Sequence, residues 1–217
     1  GGGHSQLILD RLEGGQLFGF DQDPDAERNT IEDDRFHLCK ANFRFIKNFL
    51  IANGVSKVDG VLADLGVSGY QFDEAGRGFS FRFDADLDMR MNPSQELNAQ
   101  KVVNQYEGSE LKRMFRVYGE TSYGAALTRR IVQARAGKPI QTINDLLSIV
   151  KKLVPERKLK SELAKIFQAI RIEVNDEMGA LKDFIEATAD ILNEDARFVA
   201  ISYHSLEDRP VKHFLRS

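Results

Sequence analysis

The sequence holds almost no cysteine and no long apolar run. A single cysteine, Cys39, among 217 residues excludes an internal disulfide. No metal-ligand partners stand near it, so a reducing, cytoplasmic compartment fits. No stretch approaches the roughly 20 apolar residues of a membrane span, and no signal-peptide pattern is visible. Internal repeats and low-complexity tracts are absent. His37 and His213 have no partners at ligand spacing, so no metal site is expected. The chain opens on "GGGHSQLILDRLEGGQLFGFDQD" without an initiator Met and without a strand ahead of its three glycines. The expectation is that the strand meant to aim this glycine loop is missing. The loop should then be poorly anchored and the cofactor site empty.

What is present is a chain 42% hydrophobic with a net charge of −3. That is enough for one domain with a full core, or one domain carrying a smaller inserted one. The first third alternates helix and strand. "SQLILDRLEG" has helical spacing and a Gly14-Gly15 stop. "QLFGFD" reads as a strand ending at Asp21, and "DPDAERNTIED" as a helix capped by Asp23 with Pro24 in its first turn. "FHLCKANF" is a second strand, "FRFIKNFLIANG" a helix, and "VDGVLADLG" a strand apolar on both faces. Such strands, separated by helices, predict a parallel sheet covered on both sides.

Beyond that point the pattern changes. "VSGYQFDEAGRGFSFRFDADLDMRMNP" is irregular and too long for an ordinary connection, which marks it as functional. From Glu96 to Ala164 the patterns are helical only. Between Lys101 and Lys165 there are 14 Lys or Arg and 6 Asp or Glu, a local excess of +8, so the remainder carries −11. A basic face of that kind suits phosphate contacts, although solvated helix faces would look the same. The alternating style then returns, with "RFVAISYHS" as a strand and "LEDRPVKHFLRS" opening a helix.

In open parallel sheets, ligands bind at the C-terminal ends of the strands. Those ends carry Gly1-Gly2-Gly3-His4, Asp21, Asn42-Phe43 and Asp64-Leu65-Gly66. Glycines let a backbone approach a ligand, and a helix start after them favours a negative group. The Asp21 carboxylate, at the end of its strand, can accept both ribose hydroxyls, and Phe43 can cover an adenine face. Dinucleotides and S-adenosylmethionine both use this layout. The dinucleotide fingerprint lacks its third glycine here, and Gly3-His4-Ser5 lacks the Lys of a phosphate-binding loop. S-adenosylmethionine therefore leads.

Taken together, "GGHS", "GFDQDPDA", "DGVLADLGVSGYQFD", "RGFSF", "LDMRMN", "FQAIRIEVNDEM" and "ISYHSLEDRPVKHF" resemble the bacterial 16S ribosomal RNA cytosine-N4 methyltransferase family of the MraW type. The blocks run in family order over essentially the whole chain. The resemblance implies an α/β, Rossmann-like S-adenosylmethionine-dependent methyltransferase fold with an inserted all-helical substrate domain. Its bounds would be 1–68 and 164–217 for the methyltransferase part, lacking a first strand and a tail, and 69–163 for the insertion. It implies methyl transfer to N4 of a cytidine in the decoding region of 16S rRNA, with the small ribosomal subunit as partner and dimerisation left open. By motif matching, Gly2, Gly3, His4, Asp21, Phe43, Asp64 and Gln71 would contact the cofactor. The family usually has a second Ser and a small or Pro residue at Gly69-Tyr70, and often Phe at Tyr203.

An amine methyltransferase needs an acceptor near the target amine, and Asp64 occupies the position for it. His204, ending a strand, is the second catalytic candidate. Against this, Ser205 could simply cap the next helix with Asp208 as its acid, leaving His204 to support the cap. Glu207 and Asp208 should pair with Arg209 or Arg171. Arg77, Arg82 and Arg90 are candidate phosphate contacts on the substrate, while Phe79 and Phe81 fit a small core as well as base stacking. Met89 and Met91 should pack. Two other readings remain open: a non-catalytic RNA-binding or ribosome assembly factor on the same fold, and a methyltransferase for a protein or small molecule.

Overall fold

A computed structural model describes residues 2–216. In chain order the elements are α1 (Gly3–Leu9), β1 (Leu17–Phe20), β2 (Phe36–Cys39), α2 (Ile46–Ala52), β3 (Val58–Asp64), α3 (Gly69–Asp73), α4 (Ala99–Gln105), α5 (Gly108–Val117), α6 (Gly124–Gly137), α7 (Ile143–Lys151), α8 (Glu156–Asn175), α9 (Glu177–Ile191), β4 (Leu192–Ile201) and α10 (Ser205–Phe214). The strands pair in parallel. β1 lies beside β2 with Phe20 opposite Cys39, and β3 beside β4 with Asp64 opposite Ile201. This is the α/β arrangement of helices and parallel strands that the alternation predicts.

Two compact units divide the chain: Gly1–Gly66 with Glu177–Ser217, and Val67–Asp176. The return to the first unit thus comes later than residue 164. α8 is one helix of 20 residues, with Leu159, Leu163, Ile166, Phe167, Ile170 and Val174 among its buried positions, so 164 falls inside it. Asp176, left-handed at φ 46°, ends that helix.

In the first unit, β3 alternates. Val61, Ala63 and Leu65 are buried with Ile46 and Leu50 of α2 and Leu181, Phe184 and Ile191 of α9. Leu62 and its register partner Val199 face the other way and are exposed. The cover expected on both faces is therefore present on one, among the described residues. A period of two puts successive side chains on opposite faces, so an all-apolar strand signals cover without supplying it. β4 also begins earlier than "RFVAIS". Its polar start, Leu192–Ala196, enters through an irregularity in pairing between Val58 and Gly60, with Asp195 at φ 61°. Polar residues in a bulged entry carry no strand periodicity. The 24–29 segment is a 3₁₀ helix rather than an α-helix, with the Asp23 side chain accepting from the Asp25 amide as its cap.

The second unit is helical, and its core runs from Phe79, Leu87 and Met89 through Val102, Phe115, Leu127 and Ile131 to Ile166 and Ile170. Met89 and Met91 pack as expected. Phe79 is buried, and the half-buried Phe81 meets Phe167 edge-on at 5.4 Å. Neither lies in a strand; the irregular loop is held by side chains instead. Asn175, buried at the end of α8, donates from Nδ2 to the carbonyls of Met89 and Arg171, both at 2.8 Å. Its Oδ1 accepts the Met91 amide at 2.7 Å.

Candidate active site

The first unit gathers several of the expected residues at the ends of β3 and β4. Asp64 is the last residue of β3, and the Leu65 amide continues the ladder to the Ile201 carbonyl at 3.0 Å. Period-two alternation turns the Asp64 side chain to the exposed face, where 42% of its surface is accessible. One carboxylate oxygen accepts the Tyr203 hydroxyl at 2.9 Å. The other lies 3.5 Å from Nδ1 of His4 on α1. The Asp64 carboxylate beside it raises the phenol of Tyr203 above its ordinary range, so Tyr203 is a firm donor at neutral pH.

Gly66 follows in the left-handed region at φ 82°. A Cβ there would sit 3.5 Å from Glu207 Oε1 and 3.6 Å from Tyr203 Cδ2, so the Tyr203 ring packs over this glycine. Glu207, on α10, is 2% exposed. Its Oε2 accepts the Tyr203 amide at 2.9 Å, and its Oε1 is 3.3 Å from His204 Nε2. α10 therefore starts one residue earlier than the Ser205 cap predicts. His204 is the N-cap residue, without a side-chain cap bond, and Glu207 rather than Asp208 is the acid at the third position. Asp208 pairs instead with Lys212 at 2.7 Å, one turn on. Donor atoms of Glu177, His204 and Glu207 lie within 4.8 Å of one another, a grouping across α9 and α10 that sequence spacing does not reveal.

The glycine loop enters α1 through Gly2, left-handed at φ 42°, whose carbonyl accepts the Gln6 amide at 2.9 Å. A Cβ on Gly3 would meet nothing within 4 Å, so backbone is open there. Asp21 follows β1. Its amide donates to the Cys39 carbonyl at 3.2 Å, and its Oδ1 accepts the Asp23 amide at 2.9 Å. Asn42 bonds Gln22 at 3.0 Å and accepts the Arg44 amide, tying the ends of β1 and β2 together. Phe43 is half-buried, and its ring meets Phe184 edge-on at 5.2 Å. Open backbone at Gly3 and the acceptor carboxylates of Asp21 and Asp64 are groups that fit S-adenosylmethionine. Sequence reading missed the bond from Tyr203 to Asp64, because the two stand 139 residues apart in the chain.

In the second unit, Gln71 is buried on α3. Its Oε1 accepts the Ser68 amide at 3.1 Å while Ser68 Oγ accepts the Gln71 amide, a reciprocal cap. Arg77 donates to the Arg90 and Met91 carbonyls, both at 3.0 Å. Arg90 holds Asp88 through two bonds of 2.8 Å and also reaches the Pro93 and Gln95 carbonyls. Burial pulls the Asp88 carboxyl up, but this bidentate grip outweighs it and holds the carboxyl below its usual range. Arg77 and Arg90 thus brace the loop's own backbone. Arg82 is more than half exposed, paired with Asp73 at 2.8 Å. Exposed cations sit elsewhere on this unit, among them Lys112, Arg116, Arg129, Arg130, Lys151 and Lys160.

Parallel strands with Asp21 just after β1 and Asp64 at the end of β3 suit a nucleoside cofactor. The model of the MraW methylase family matches residues 1–217, and the chain belongs to that family. Among curated relatives, a protein of Flavobacterium johnsoniae is 55% identical over all of this chain and 72% of its own length. One of Flavobacterium psychrophilum is 51% identical, with 75% of its length covered, and one of Bacteroides fragilis 51%, with 72% covered. Each is named ribosomal RNA small subunit methyltransferase H.

Proposed function

We propose that the protein transfers a methyl group from S-adenosylmethionine to N4 of a cytidine in the decoding region of 16S rRNA, acting in the cytoplasm. The names of its relatives support the substrate. The observation that carries the chemistry is the Asp64 carboxylate, presented at the end of β3 with a hydrogen-bond donor on one oxygen and His4 near the other.

Gly2, Gly3, His4, Asp21 and Asp64 would hold the cofactor, which when bound supplies an electrophilic methyl group. Cytosine N4 is a weak nucleophile because its lone pair is delocalised into the ring. A carboxylate accepting a hydrogen bond from the amine localises that lone pair, and alignment at near-attack distance supplies much of the remaining acceleration. The methylated amine is cationic and must lose a proton. Asp64 would accept it, with His204, beside the buried Glu207, as the second acceptor. The target base must be unpaired or flipped out, at a cost of a few kcal/mol. The exposed cations of the 67–176 unit would hold the surrounding RNA.

Turnover of Asp64→Ala on small ribosomal subunits tests this reading. A general acid-base role predicts a fall of about 10²-fold or more. Normal turnover with cofactor bound overturns it.

A further inference from the structure

Tyr203 is the most exposed large apolar side chain among the described residues, at 67%. Exposure of that size usually means freedom, yet this residue is fixed at three points. Its amide is held by the buried Glu207, its ring edge rests over Gly66, and its hydroxyl donates to Asp64. With only two side-chain torsions, a tyrosine so anchored presents a pre-organised flat face at little entropic cost. It stands two residues past the end of β4, beside the end of β3, where ligands of parallel sheets bind. An aromatic held in place but left uncovered is what unpaired nucleobases stack on.

We propose that the Tyr203 ring is the stacking platform for the flipped-out target base, and that Asp64 at its tip selects a base bearing an exocyclic amine. A base lying on the ring with its edge toward the hydroxyl brings an amine within reach of the Asp64 carboxylate. Cytosine and adenine offer that donor; uracil, whose carbonyl would face the carboxylate, does not. That the stacked base is the methylated cytosine rests on the function proposed above. The stacking itself does not.

The direct test is NMR of the protein carrying ring-labelled tyrosine, assigned with Tyr203→Phe. A short unstructured RNA with one cytosine is added in the presence of S-adenosylhomocysteine. The Tyr203 ring resonances should shift, and replacing the cytosine by uracil should weaken the effect. A ring unmoved by the cytosine RNA overturns the proposal. Kinetics give the second arm. Tyr203→Ala should raise KM for small subunits about 5- to 150-fold, the usual loss for one stacked base, with affinity for S-adenosylmethionine intact. Tyr203→Phe keeps the ring and should hold KM within about 3-fold, any loss falling on kcat. Should Phe lower turnover as far as Ala, with cofactor affinity lost in both, Tyr203 acts through Asp64 alone and stacking is refuted. Ring shifts with no methyl transfer by the wild-type protein would overturn the proposed function and leave the platform standing.

Discussion

Asn175→Ala should cost the helical unit about 3 kcal/mol. The wild-type side chain is 5% exposed and makes three hydrogen bonds of 2.7 to 2.8 Å. Two of them brace the loop at Met89, whose φ of 61° is unusual for a side-chain-bearing residue, and at Met91. A net bond is worth about 1 kcal/mol, and stranding a buried donor such as the Met91 amide costs about 1–3 kcal/mol. The bond to Arg171 matters less, because that carbonyl belongs to the helix. Alanine's better helix propensity returns about half a kcal/mol. In a chain of this size each kcal/mol shifts Tm by about 2–4 °C, so the melting transition should fall by roughly 6–12 °C. Asn175→Asp is the sharper variant. It keeps the acceptor for Met91 but turns the donor into an oxygen facing two carbonyls, so it should be the less stable of the two. Calorimetry of both variants decides. A Tm drop below about 2 °C for the alanine variant, or an aspartate variant more stable than it, refutes the bracing role.

Burial, followed by the Glu173 carboxylate, pushes the Tyr106 phenol up to about 12. The neutral phenol is the form the fold favours. Its contribution is complete below the ordinary value of 10.0 and is lost as pH rises through about 12. Alkaline titration at 295 nm, compared with Tyr106→Phe, should show one phenol titrating near 12; a midpoint near 10 contradicts the burial. If the 67–176 unit contacts RNA phosphates, affinity should fall linearly on a log–log plot of salt, with a slope of about −0.7 per single-strand phosphate neutralised. Affinity independent of salt removes that role.

The strand ends were legible because chemistry marks them. Asp64 and Asp21 stop apolar runs, and glycines precede α1. The helices from 99 to 175 were legible from spacing, since their apolar positions recur at helical intervals and are buried in the structure. Less visible was how polar side chains are spent. The sequence offers Arg77 and Arg90 as phosphate ligands and does not reveal that their guanidinium groups also satisfy backbone carbonyls of an irregular loop. Gln71 closes a cap with Ser68, a local pairing that a family motif does not separate from a ligand contact. Tyr203, Asp64 and His4 converge from three distant segments, and only tertiary structure joins them. The one-residue error at α10 has a simple cause: Ser is the commoner capping residue, but here Glu207 reaches back to the amide of Tyr203 and fixes the start at His204.

The central claim is tested most directly by identifying the methylated product. The protein is incubated with methyl-labelled S-adenosylmethionine and small ribosomal subunits from a strain deleted for the enzyme, and the rRNA is digested to nucleosides. The account predicts label in N4-methylcytidine from the decoding region. Label in another nucleoside, in ribosomal protein, or in neither contradicts it.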